Sequence, residues 1–373
     1  MGAPYWFEEL EPLPRCAPDG RVDVAIVGGG VTGCSCALTL ASAGRSVRVY
    51  EAREIGSGAS GRNGGFGLWG GATAYDRARE QLGADRAKRY WHLTDRYVER
   101  LAELAGDAYR RVGSFRVAVD EVERAEIRAE YEALVEDGFP AEWVDELDGR
   151  AGELFHGALL HPGDGSLTPV RWIQRLARRA AEAGAELCER SHVASVDDLD
   201  ADRVVIATDG YTDGLVPELT AAIRPVRNQV LATAPLDELL YDRPYYGRHG
   251  YDYWQQLPDR RLIVGGRRDA ALEAENTADE ELTPAIQQSL EELTRDLVGG
   301  ELPEITHRWP GIFGVTEDRL PLAGPLEGER IWVAAGYSGH GNVLGLACGD
   351  LVARALLGED VPELELFDPA RLL

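Results

Sequence analysis

Residues 21–51 read RVDVAIVGGGVTGCSCALTLASAGRSVRVYE, and their order predicts strand, glycine turn, helix, strand. Val22, Val24, Ile26 and Val27 form a short β-branched apolar run, as a strand buried on both faces requires. Gly28, Gly30 and Gly33 follow in G-x-G-x-x-G spacing. The first permits the tight turn, the second lets backbone approach a pyrophosphate, and the third lets the helix pack on the strand. The helix opens at Val31 and Thr32 with free N–H groups, a ready anion site. Ser46 to Tyr50 predicts the second strand, and Glu51 closes it 18 residues after Gly33. A carboxylate there accepts hydrogen bonds from an adenosine ribose and repels a 2′-phosphate, with Ala52 and Arg53 beside it. A glycine triplet alone is a weak signal. Between a strand and a helix, with the acid in place, it specifies a dinucleotide site rather than a plain turn.

The totals set the frame around this unit. A chain of 373 residues has room for two domains, and 44% hydrophobic residues can fill a large interior. Sixty-four acidic against 39 basic residues give a formal charge of −25, a field that repels nucleic acid and anionic membranes. Lys88 is the one lysine. The five cysteines, Cys16, Cys34, Cys36, Cys188 and Cys348, show no metal spacing, and their odd number argues against a disulfide scaffold. A reducing, cytoplasmic setting is the expectation. Residues 1–15 lack the basic and apolar regions of a signal peptide, and no apolar run reaches the roughly 18 residues of a membrane span.

Eight glycines crowd residues 56–71, GSGASGRNGGFGLWGG, too many for a helix or packed strand. Phe66, Leu68 and Trp69 among them argue against a flexible linker and for backbone threaded against a flat ligand. GASGRNGGF after a GxGxxG–Glu unit resembles the FAD-dependent amine and amino-acid oxidoreductases, the group of D-amino-acid, glycine, sarcosine and γ-glutamylputrescine oxidases. The resemblance implies that Ser60, Arg62, Asn63, Gly64 and Gly65 contact FAD. It also implies that Val193 meets the adenine through its backbone and that Ala207, Thr208 and Asp209 approach the pyrophosphate. Ordinary turn chemistry is the alternative at 208–209.

Tyr75 to Gly106 predicts a long helical stretch whose Trp91, Thr94, Tyr97, Val98, Leu101 and Leu104 share one face. Residues 113–119 alternate like a strand and 121–138 form an amphipathic helix. Pro169 starts a helix that Ala183-Gly184 ends. Residues 188–196 and 203–207 predict strands, and 245–268 two strands joined by a Pro-Asp turn. Tyr246, Tyr251, Tyr253 and Trp254 gather there, either packing a core or forming a cage for an amine. A helix follows over 283–298. The second signature is Arg308-Trp309-Pro310-Gly311, then IWVAAGYSGHGNVLGLACGDLVARALLGE over 331–359: a buried strand, a glycine turn and an apolar helix. GYSGHG before a helix resembles the family's flavin-binding C-terminus, implying that Trp309, Gly311, Gly336, Tyr337, Gly339, His340, Gly341, Asn342 and Val343 hold the cofactor. A helix N-terminus there would stabilise the anionic reduced ring. His340 either contacts the flavin or braces the loop.

The resemblance implies a mixed α/β fold. A Rossmann-like FAD domain (1–75, 151–224, 308–373) carries an inserted antiparallel-sheet substrate domain (76–150, 225–307). It implies oxidation of the C–N bond of an amine or amino acid, by hydride transfer to flavin N5 without a side-chain base, then imine hydrolysis. Such transfer depends on positioning, and the substrate is expected at Trp69, Arg248, Tyr251, Tyr253, Trp254, Arg267 and Tyr337. Three departures stand out. Residues 312–315 (Ile, Phe, Gly, Val) include no cysteine to attach flavin, so FAD is expected to be non-covalent. Val343 replaces a substrate-binding lysine, leaving Arg62, Arg248, Arg267 or Arg308 to meet any carboxylate. Lys88 falls in a surface helix, so the electron acceptor is O2 or a carrier. A D-amino-acid dehydrogenase, a non-catalytic flavin-containing binding protein and an NAD-only dehydrogenase are the alternatives.

Overall fold

The computed structural model describes residues 2–13, 16, 19–212 and 214–373. The dinucleotide unit folds as its glycines demand: strand Val22–Val27, helix Val31–Ser42, strand Val47–Tyr50. These strands sit inside a six-stranded sheet in the order 322–325, 331–335, 201–206, 22–27, 47–50, 186–188. Its pairs are parallel except Leu322–Pro325 against Ile331–Ala335. Ala25, Ile26, Val49, Val204, Val205, Ile206 and Val333 are buried throughout, which explains the near-continuous apolar runs. The C-terminal helix Gly341–Leu356 crosses the first helix closely. A methyl group at Gly349 would meet Thr32 O at 2.4 Å, and one at Gly345 would meet Thr32 Oγ1 at 2.8 Å, so small residues set the crossing distance.

A second sheet has eight strands in the order 305–315, 224–233, 262–266, 252–256, 245–247, 114–117, 158–161, 142–144. It is antiparallel, as expected, apart from one parallel pair, Tyr245–Gly247 with Ser114–Val117. Helix Pro284–Val298 packs Ile286, Leu290, Leu293 and Leu297 against it. The Ile305–Val315 strand lies wholly in this sheet, so a boundary at 308 falls inside a strand.

Several local readings are corrected by backbone geometry. The long helical stretch is two helices, Tyr75–Leu82 and Ala84–Ala105, broken at Gly83, whose φ is +82°. The strand expected over 188–196 is only Glu186–Cys188, because the chain turns at Arg190 with φ +55°. Residues 245–268 form three strands rather than two, the Pro258-Asp259 turn joining the last pair. Cys16 and Cys188 are joined as a disulfide, with Cα atoms 4.7 Å apart. The N-terminal arm folds back along the edge strand, a proximity that 172 residues of separation conceal. No helix among the described residues is long and apolar enough to cross a membrane.

Candidate functional site

Both glycine turns line one cavity of about 2030 Å³, between the six-stranded sheet and one face of the eight-stranded sheet. Ligand pockets usually measure about 300–1,000 Å³, so there is room for two bound molecules. The turns touch directly: Thr32 Oγ1 donates to Tyr337 Oη at 2.9 Å. A second link joins the glycine loop to the C-terminal turn. Asn342 Nδ2 donates to Asn63 Oδ1 at 3.2 Å and to Phe66 O at 2.8 Å.

At one end, Glu51 accepts the Gly29 N–H at 2.8 Å and the Arg53 N–H at 2.9 Å. Burial raises its pKa, while those two backbone donors pull it back down. Each oxygen keeps a second lone pair for a ribose hydroxyl. Ser60 Oγ accepts the Val31 N–H at 2.9 Å, closing the first turn of the helix. A methyl group at Gly33 would sit 1.9 Å from Gly28 O, and one at Gly28 would sit 2.5 Å from Ala207 O. Those two glycines therefore serve the fold. A methyl group at Gly30 meets only Ser60 Oγ, at 2.8 Å, so this position faces open cavity where a pyrophosphate would pass.

Ala52, Val193, Thr208, Gly311, Gly339, Gly341 and Val343 also line the cavity. Gly33, Gly65, Trp309 and Gly336 stand one layer behind. Trp309 is fully buried and donates from Nε1 to Arg62 O at 2.8 Å, while Trp6 Nε1 donates to Asn63 O at 2.9 Å. Arg62 is itself a strut. Its Nε and Nη1 donate to Ser57 O and Pro310 O at 2.6 and 3.2 Å, and it pairs with Glu280 at 3.2 Å. Asp209 accepts N–H groups from Gly314 (2.9 Å), Gly336 (2.8 Å) and Tyr337 (3.4 Å). That carboxylate ties the end of one sheet to the last turn. Burial raises its pKa.

The buried polar atoms on the cavity wall that have no partner among the described residues include Ser338 Oγ, His340 Nδ1 and Asn228 Oδ1. Burial pushes the His340 imidazole down to about 4, so it is neutral at pH 7. It precedes the helix Gly341–Leu356, whose first N–H groups open on the same wall. Orphan polar atoms, a glycine cradle and the ribose-type acid together fit FAD, and among the described residues no cysteine lines the cavity. Ser338 lies within the GYSGHG turn but is not singled out there, and Asn228 carries no motif, so only tertiary proximity finds it.

The expected substrate residues divide by strand face. Trp69, Tyr251, Tyr253 and Tyr337 line the cavity. Trp254, one residue from Tyr253, points to the other face and stacks on Tyr245 and Phe155 in the core. Arg248 and Arg267 lie off the cavity, both paired with Asp252, at 3.0 and 2.9 Å. Arg308 pairs with Glu291 at 2.7 Å. None of these three arginines is placed to meet a ligand. The Tyr253 ring wedges between glycines instead: methyl groups at Gly64 and Gly265 would lie 2.8 and 2.3 Å from it. It also meets Phe66 edge-on at 5.8 Å. Lys88 pairs with Asp137 at 2.7 Å and does not line the cavity.

Comparison with known proteins agrees with this geometry. The family model described as "DAO: FAD dependent oxidoreductase" matches residues 23–355. A probable oxidoreductase OrdL of Rhizobium meliloti is 31% identical, the match covering 98% of this chain and 91% of the relative. The gamma-glutamylputrescine oxidoreductase of Escherichia coli is 28% identical over 90% of this chain and 84% of its own. The crystal structure of glycine oxidase from Geobacillus kaustophilus superposes with a TM-score of 0.76 at 25% identity, covering 95% of this chain and 98% of that one.

Proposed function

The chain belongs to the DAO family of FAD-dependent oxidoreductases, and on that premise we propose that it oxidises the C–N bond of an amine or amino acid. The observation that carries this reading is the single cavity shared by both glycine turns and the aromatic face of the eight-stranded sheet. FAD, when bound, supplies the hydride acceptor. The protein's part is to place the substrate carbon and keep water away. Tyr253 and Phe66 form an apolar wall beside the glycine loop, and such a wall favours the neutral amine over its ammonium form. The neutral amine gives up hydride from its α-carbon and becomes an iminium, which water hydrolyses to a carbonyl compound and a free amine. Alignment alone can contribute several kcal/mol to such a step. A cytoplasmic setting suits the three buried free thiols, Cys34, Cys36 and Cys348, while the Cys16–Cys188 disulfide weighs against it.

The test is anaerobic addition of a panel of amines and amino acids, read at the flavin absorbance band. Bleaching by at least one member is expected. A flavin that stays oxidised across the panel would instead favour a binding protein with a structural cofactor. Peroxide formed per turnover in air then separates an oxidase from a dehydrogenase that serves a carrier.

A further inference from the structure

The far wall of the cavity holds a guanidinium that the cofactor motifs do not use. Arg116 pairs across the strands with Tyr246, and Tyr246 pairs with Tyr253. The three share one row on the face that lines the cavity. Adjacent strands lie about 4.8 Å apart, so Arg116 stands roughly 10 Å along the row from Tyr253. Tyr253, wedged on Gly64, marks the end next to the glycine loop.

Arg116 is 9% exposed, and among the described residues its guanidinium has one hydrogen-bonding partner, Glu130. The other Glu130 oxygen is spent on the Tyr75 N–H at 3.0 Å. Glu130 thus orients the arginine without filling its fork of five donors. Two further polar groups surround that fork. Among the described residues the Tyr246 hydroxyl makes no hydrogen bond, and buried His161 Nδ1 is unpaired. His161 lies two residues along its strand from Leu159, the cross-strand neighbour of Arg116. Unfilled donors in a desolvated place are costly, and one carboxylate, with about four lone-pair sites, would satisfy most of them. Nothing comparable stands at the Tyr253 end. Phe313 and Val343 are apolar, Arg62 is already satisfied, and Arg268 lies across the Tyr251 ring, only partly buried.

We propose that Arg116, with Tyr246 and His161, anchors a carboxylate carried at the far end of an extended amine substrate, remote from the C–N bond that is oxidised. This rests on the amine-oxidising reading above and narrows it, from amino acids with an adjacent carboxylate to chains with a distant one.

The test uses the flavin-loaded protein. The first measurement is kcat/KM for ω-amino acids from β-alanine to ε-aminocaproate and longer, each against the n-alkylamine of equal length. The ratio is expected to favour the longer amino acids. It should fall roughly 10- to 100-fold in the double variant R116Q/E130Q, which removes both charges and so leaves no unpaired ion. The second measurement needs no turnover: butyrate and hexanoate titrated into the holoprotein, read as a shift in the flavin spectrum. Binding is expected in the parent and about 10-fold weaker binding or less in the variant. Should the double variant lose its flavin, R116K keeps the Glu130 pair and should still lower the ratio, because an ammonium lacks the fork. Arg116-dependent carboxylate binding with no amine oxidised would sustain the anchor and overturn the reaction. Amine oxidation with no carboxylate preference, or one indifferent to Arg116, would overturn the anchor alone.

Discussion

A glycine and two aromatic neighbours show how much one position decides. Gly30 faces the cavity, and a side chain there strikes only Ser60. Gly30→Val should therefore fold, with an unchanged far-ultraviolet circular dichroism spectrum, yet purify without yellow colour. A fully loaded variant would move the pyrophosphate elsewhere. Tyr253 and Trp254 are adjacent but face opposite ways. Tyr253→Ala, which removes the apolar wall, should lower kcat/KM with flavin content intact. Trp254→Ala should instead cost about 3–5 kcal/mol of stability, as large-to-small changes in a core do, visible as a lower Tm. Asp164 makes the third case. It is buried under the cavity wall and accepts from Ser114 Oγ and the Trp69 N–H, and burial pushes its pKa up to about 7. Its unfolded value is near the ordinary 3.8. The folded state thus holds a proton that the unfolded state has lost between these values, and stability declines as pH rises from about 4 to 7. Asp164→Asn, which stays neutral, should raise Tm above pH 7 and leave it nearly unchanged near pH 4. Equal effects at both ends would show that Asp164 is ionised throughout.

Among the elements, the segment between strand Leu262–Gly266 and helix Pro284–Val298 carries the most consequence. It leaves the eight-stranded sheet and reaches over the cofactor side, where Arg268, Leu272 and Asn276 line the cavity. Its base is fixed by fully buried Glu275, which accepts from Arg227, Gln229 and Thr283. Its tip is fixed by Glu280, which accepts from Arg53 Nη1 at 2.7 Å and Tyr211 Oη at 2.6 Å and pairs with Arg62. Burial pushes the Glu280 carboxyl upward, but these partners outweigh it and hold the pKa below its ordinary value. The stabilisation is therefore present above about pH 4.5 and lost as pH falls through the lowered value. Glu280→Gln should speed FAD release about 10-fold at neutral pH, followed as flavin fluorescence on dilution. An unchanged release rate would mean that the segment is not a clasp. Nothing in the sequence marked residues 269–282, because acids and small residues in a connection look like any solvated loop.

For the molecule as a whole, the decisive feature is convergence. Asp209 binds backbone from the long Ile305–Val315 strand and from the last glycine turn, and so holds the two sheets in register around the cavity. Asp209→Ala leaves three buried N–H groups unpaired, at about 1–3 kcal/mol each. It should lower Tm steeply and empty the flavin site together. Loss of one without the other would separate fold from site. The sequence by itself determined the βαβ unit, the glycine loop and the C-terminal turn, because each depends on local backbone freedom and short-range periodicity that residue types specify directly. It also determined that FAD is the cofactor, since the motifs stand in the family's order. Only the tertiary structure decided that Arg248 and Arg267 are spent on Asp252, that Trp254 is core while Tyr253 is wall, and that Cys16 meets Cys188. Which charge pairs with which, and which strand face turns inward, depend on partners far away in the chain. Spacing along a sequence cannot reveal a partner that only packing brings near.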